Sequence, residues 1–135
     1  MKPNYPIDKV SQLWDTCSMS TPLNPIFMYT PTRKEIHSWP VNVKKDLGEV
    51  LLRLQLGESV GMPDVRPMPT VAKGVSEVRI KDASGIYRVF YIIQSHQGIL
   101  IFHSFKKKTQ QTPHSEIETA KKRLKLFLEE LNNEK

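Results

Sequence analysis

A chain of 135 residues with 20 lysines and arginines against 14 aspartates and glutamates carries a formal charge of +6, which suits either an anionic partner such as nucleic acid or a solvated basic surface of no special affinity. That length suits one domain with a two-layer core and excludes two independent cores. The lone Cys17 excludes an internal disulfide or a cysteine-rich zinc site; no apolar run is long enough to span a bilayer, and Pro3, Pro6, Pro22 and Pro25 interrupt any signal-peptide stretch. A cytoplasmic protein without a membrane partner is expected.

Residues 1–30 read as an N-terminal extension and residues 31–135 as the single domain. Within the extension, Ile7, Val10, Leu13 and Trp14 recur at helical spacing, and residues 26–29 suit an edge strand before Pro31. From Val41 the pattern sharpens. Val43, Leu47, Val50, Leu51 and Leu54 form one apolar stripe, with Lys44, Lys45, Asp46, Glu49 and Arg53 on the other faces. This predicts an amphipathic helix over residues 43–56, with Pro40 suited to its first turn and Gly57 to its end. Residues 58–74 hold Pro63, Pro67 and Pro69 and no sustained period, so they read as a long loop, either functional or a plain crossover.

Three strands follow. In residues 76–81, Glu77, Arg79 and Lys81 alternate with Val78 and Ile80, as in a half-buried strand with one charged face. Asp82-Ala83-Ser84-Gly85 is a hairpin turn, residues 86–94 are apolar on both faces, and residues 99–105 make the third strand after a second turn. Short turns make the three antiparallel neighbours. The last element is a helix. Ser115 and Glu118 match a capping box, and Ile117, Ala120, Leu124, Phe127, Leu128 and Leu131 form its stripe. The expected fold is α+β, an antiparallel sheet with helices packed on one side.

Basic residues concentrate on this sheet. Arg88 shares a strand face with Phe90 and Ile92, Arg79 shares one with Glu77 and Lys81, and the third strand ends in Phe105-Lys106-Lys107-Lys108. An arginine inside an apolar strand is costly unless it is paired or opens into a groove. Two readings of Arg88 stand: an ion pair with Glu77 that orders the sheet, or a phosphate contact. Hydrolysis of RNA without a metal needs a base for the 2′-hydroxyl, cations for the phosphorane and an acid for the leaving oxygen. The candidates are Arg79, Arg88, Lys106, Lys107, His103 and His114, with Lys81, Lys108, Lys44 and Lys45 as further RNA contacts. Alternation places His103 on the face of Ile99, Ile101 and Phe105, where a core role competes with a catalytic one. His114 lies between the lysine run and the last helix. The histidines do not have zinc-ligand spacing, and neither a Gly-rich phosphate loop nor a Gly-x-Ser-x-Gly elbow occurs. No metal or cofactor is expected.

Trp39-Pro40 through Leu54-Gln55-Leu56-Gly57, Val75-Ser76-Glu77-Val78-Arg79-Ile80, Tyr87-Arg88-Val89-Phe90-Tyr91, the run from His103 to Pro113, Glu116-Ile117-Glu118-Thr119-Ala120 and Arg123 together resemble the RelE/HigB-like toxins of bacterial toxin–antitoxin pairs. The likeness is to their phage-derived branch and runs from Ile36 to Leu128. The resemblance implies a small mRNA endoribonuclease, ribosome-dependent or free, that is restrained by an antitoxin, often a helix-turn-helix repressor. It also implies that Arg79 and Arg88 are the basic residues of the sheet and that Lys106 with Lys107 is the cationic strand end. The chain departs from better-known relatives in residues 126–135, which contain no tyrosine or histidine to serve as a C-terminal acid or base. A second class of function stays open, a non-catalytic phage-encoded binder of a host protein.

Overall fold

A computed structural model describes residues 23–61, 64–95, 97–107 and 112–133. In chain order the elements are β1 (Ile26–Met28), α1 (Thr30–His37), α2 (Val41–Gln55), β2 (Val65–Pro67), β3 (Val75–Asp82), β4 (Gly85–Gln94), β5 (Gly98–Lys107) and α3 (His114–Asn133). The helical spacing at residues 7–14 lies outside the described residues.

The strands form one sheet in the order β1-β5-β4-β3-β2, in which β1 runs parallel to β5 and every other pair is antiparallel. Tight turns set this core arrangement. The Asp82 carboxylate accepts the Ser84 backbone N–H and hydroxyl, each at 2.6 Å, which bends the chain from β3 into β4. Chain order puts β4 at the centre, as its two-sided apolarity predicts.

That same apolarity decides the layers. Val78, Ile80, Tyr87, Val89, Tyr91, Ile99 and Ile101 share a core with the Val43, Leu47, Leu51 and Leu54 stripe of α2. Alternate residues, among them Val75, Phe90, Leu100 and Phe102, pack against Ala120, Leu124 and Phe127 of α3. The fold is α+β as expected, but the helices do not sit on one side: α2 covers one face and α3 the other. A strand that is apolar on both faces needs cover on both.

Two elements were hidden by proline. Pro31 occupies the first turn of α1, where its missing N–H breaks no helical bond, and so it starts a helix. Pro67 ends β2, a three-residue edge strand in which its lack of a donor is tolerated. The boundary expected at residue 31 also falls inside the fold, because β1 is paired into the sheet. Where β1 stops, the Tyr29 N–H donates to the Ile101 carbonyl and the Thr32 hydroxyl to the Phe102 carbonyl at 2.7 Å, so α1 continues the covering of the β5 edge.

Gly57, with φ of +84°, ends α2 in a Schellman turn, where the Glu58 N–H reaches the Arg53 carbonyl at 3.0 Å. Ser115 does not cap α3; the helix begins at His114, and Glu118 pairs with Lys121 and His114 instead. Gly98 is required for a different reason. It has φ of +121°, and a Cβ there would collide with the carbonyl oxygen of Pro25, which accepts the Ile99 N–H at 2.8 Å to begin the β1–β5 pairing.

One irregularity positions the site. Phe90 pairs with His103 and Tyr91 with Ile101, so Phe102 is an extra residue in β5. Beyond this bulge every side chain of β5 changes face relative to simple alternation. His103 therefore does not share the face of Ile99 and Ile101; it joins Phe90 on the α3 side, with ring centroids 5.7 Å apart.

Candidate functional site

On the α3 side of the sheet, polar side chains fall into cross-strand rows. Arg66, Glu77, Phe90 and His103 make one row across β2, β3, β4 and β5. Arg79, Arg88 and Phe105 make the next, and Lys81, Ile86 and Lys107 the third. The register left open by the sequence thus makes Arg79 and Arg88 direct partners.

Like charges face to face on a sheet repel unless an anion lies between them. Glu77 is that anion. Its carboxylate is fully buried and lies 3.7 Å from Arg88 Nη1, 3.5 Å from Arg79 Nε and 3.8 Å from Arg66 Nε. Thr112, just before α3, bridges the buried pair: its hydroxyl accepts from Arg88 Nη1 at 2.7 Å and donates to Glu77 Oε2 at 3.2 Å. Exposure is graded, with the Arg88 side chain at 0%, Arg79 at 11% and Arg66 at 34%. Burial lowers the Arg88 pKa, Glu77 opposes the shift, and Arg79 and Arg66 add to it; a guanidinium nonetheless stays a cation in water's pH range. Both readings of Arg88 drawn from the sequence bear on one cluster. The ion pair with Glu77 is present, and among the described residues three guanidiniums gather around that one carboxylate on a rigid sheet.

His103 is 3% exposed and lies among Phe90 and Phe105. Its Nε2 is 2.7 Å from Glu116 Oε1, which ties β5 to the first turn of α3. Its Nδ1 is buried without a hydrogen bond among the described residues. Burial lowers the imidazole pKa and outweighs the opposing Glu116 hydrogen bond. This is a core histidine that fastens α3 through Glu116, four residues after Thr112 has touched the arginine cluster. Unfolded, it takes up a proton near pH ~6.5, whereas folded it resists, so the unfolded state binds more protons as pH falls. Thermal melts between about pH 7.5 and 5 should show stability declining below ~6.5. His103→Asn should flatten that decline, and an unchanged pH dependence would refute the assignment. Glu35 does not confound this window: burial raises its pKa, but hydrogen bonds from Arg123 and Ser104 outweigh burial and hold it below its ordinary value.

The other candidates separate. Lys107 shares the face of Arg88 and flanks Ile86 opposite Lys81. Lys106 is on the opposite face, with its Nζ 5.3 Å from the Tyr87 ring, so the two lysines do not act as one cationic end. Lys44 and Lys45 are on α2, also across the sheet from the arginines, and Lys44 Nζ donates to the His37 carbonyl at 3.1 Å. Lys108 lies outside the described residues. His114 is exposed at the start of α3, with its Nε2 3.5 Å from Glu118. Arg66 and Thr112 were missed from sequence. Arg66 sits in a Pro-rich stretch without period, and its only signal is a lone cation between Val65 and Pro67. Among the described residues no cluster of histidine, cysteine and carboxylates could hold a metal, and no helix is long and apolar enough to cross a membrane.

Residues 34–125 match the family model of phage-derived Gp49-like proteins (DUF891). The chain belongs to that family. The matched span takes in the whole arginine cluster, Thr112 and the His103–Glu116 tie, and leaves out β1 and the last turns of α3. No curated protein matches this Gp49-like chain.

Proposed function

We propose that this Gp49-like protein is the toxin of a type II toxin–antitoxin pair, a metal-independent endoribonuclease of RelE/HigB type that cuts mRNA on the ribosome and so inhibits translation. It acts in the cytoplasm and is restrained by a helix-turn-helix antitoxin. The observation that carries this reading is the cross-strand pair Arg79–Arg88, joined by Arg66 around the buried Glu77, on a sheet whose order of motifs resembles those toxins. Fixed cations on a rigid support stabilise the charge that develops on a phosphodiester under attack by its 2′-hydroxyl.

On this reading the labour is divided. Arg88, wholly buried, holds Glu77 and Thr112 in place and does not touch substrate. Arg79 is the sheet cation that meets the scissile phosphate, with Lys107 and Lys81 on the same face along the approach. His114, two residues beyond Thr112 and so within about 7 Å of it along the chain, is the exposed imidazole available for proton transfer.

Induced expression with mapping of cellular mRNA ends tests this directly. Growth arrest with new ends inside reading frames is expected, and purified protein should cut mRNA on ribosomes with chelator present. Growth arrest without new ends would favour the second reading, a non-catalytic binder of a host protein. That reading draws on the burial of Arg88 and on the lack of a histidine or tyrosine in residues 126–135.

A further inference from the structure

We infer that Arg66 is a phosphate-contacting residue of this site, delivered by the edge strand β2, and that Glu77 holds its guanidinium in place until an RNA phosphodiester replaces that contact. The inference rests on the RNA reading above and extends it to a residue outside the motifs that suggested it. Arg66 is the direct cross-strand partner of Glu77, so its side chain lies on the face of Arg79 and Arg88. Its Nε stands 3.8 Å from Glu77 Oε1, well beyond the roughly 2.7–2.9 Å of a charge-assisted hydrogen bond. That oxygen is buried and accepts no hydrogen bond among the described residues. The contact is therefore a Coulombic attraction that leaves the planar N–H fork of Arg66 able to turn toward another oxyanion.

Charge and position argue in the same direction. Among the described residues Arg66 is the third guanidinium within 4 Å of one carboxylate, and such a cluster of cations in a partly desolvated site favours a further anion. Of the three, Arg66 is the most exposed, at 34%. Its strand is three residues long and forms the border of the sheet, ending in Pro67, so among the described residues no further strand bars the approach of an RNA backbone. Arg66 then grips a phosphate beside the one met by Arg79, and it acts in binding more than in the chemical step.

The test is a titration of a fluorescent single-stranded RNA, 2′-O-methylated so that no 2′-hydroxyl can attack, at several salt concentrations. It compares the native chain with Arg66→Ala, Arg66→Lys and Arg53→Ala, the last removing a cation from the far end of α2. Arg66→Ala should weaken binding severalfold and reduce the slope of log K against log salt by about 0.7, the loss of one phosphate contact on a single strand. Arg66→Lys should keep the slope, and Arg53→Ala should match the native chain. If Arg66→Ala melts below the assay temperature, Arg66→Gln, which keeps most of the side chain without its charge, takes its place. Native-like binding by the Arg66 variants, or an equal loss in Arg53→Ala, would overturn the inference and leave the RNA reading standing. Absence of salt-dependent RNA binding by the native chain would overturn both.

Discussion

Arg88→Ala should unfold this protein at temperatures where the native chain is intact, and its loss of activity should follow from that. The Arg88 side chain is fully buried, paired with an equally buried Glu77 at 3.7 Å and hydrogen-bonded to Thr112 at 2.7 Å. Removing it takes the cation from Glu77 Oε2, leaves the Thr112 hydroxyl without its donor and empties the space of a wholly buried side chain, at a cost of about 3–5 kcal/mol. For a domain of this size that lowers the melting temperature by on the order of 10–20 °C. Arg88→Met, which refills the volume, should recover part of the loss, because Glu77 keeps Arg66 and Arg79. The measurement is thermal melting by circular dichroism. A fully folded Arg88→Ala protein that no longer cuts RNA would return Arg88 to the substrate and refute its structural role.

Arg79→Ala should do the opposite, sparing the fold and stopping the chemistry. Its side chain is 11% exposed where that of Arg88 is fully buried, and Glu77 keeps two cations without it. Removing a cation aimed at developing negative charge costs about 3 kcal/mol of barrier, or roughly a hundredfold in rate. Single-turnover cleavage on ribosomes should show that loss with little change in melting. Lys107→Ala, further along the same face, should cost less, and Lys106→Ala, across the sheet, should leave the rate near native. Equal losses in all three would mean an undifferentiated basic surface, and the assignment of Arg79 would fall.

The contrast between these two arginines shows what was legible in the sequence. Periodicity located α2, the β3–β4–β5 meander and α3, because each has enough apolar repeats to declare its period. Both arginines could be assigned to strand faces. Which of them is buried could not be read, since that depends on where Thr112 and α3 return across the sheet. The face of His103 and of the lysine run could not be read either. Alternation is correct up to Ile101, and a single extra residue then reverses it, with nothing in Ile101-Phe102-His103 to announce a bulge. α1 and β2 are not legible because a proline reads as a break, whereas Pro31 begins a helix and Pro67 ends an edge strand. Arg66 was lost along with β2.

The parallel pairing of β1 with β5 has a consequence for how the chain comes together in time. The β3, β4 and β5 hairpins join near neighbours in sequence and can form early, whereas Ile26 must find Ile99 across most of the domain. Closing so long a loop is favoured only once its partner strand is already ordered. During synthesis, β1 therefore waits for the last strand to emerge, and until then the β5 edge stands uncovered. A nascent chain ending before that point cannot complete the sheet that holds the arginines. On the proposed function, a ribosome making this protein is exposed to the finished toxin only when nearly the whole domain has been translated.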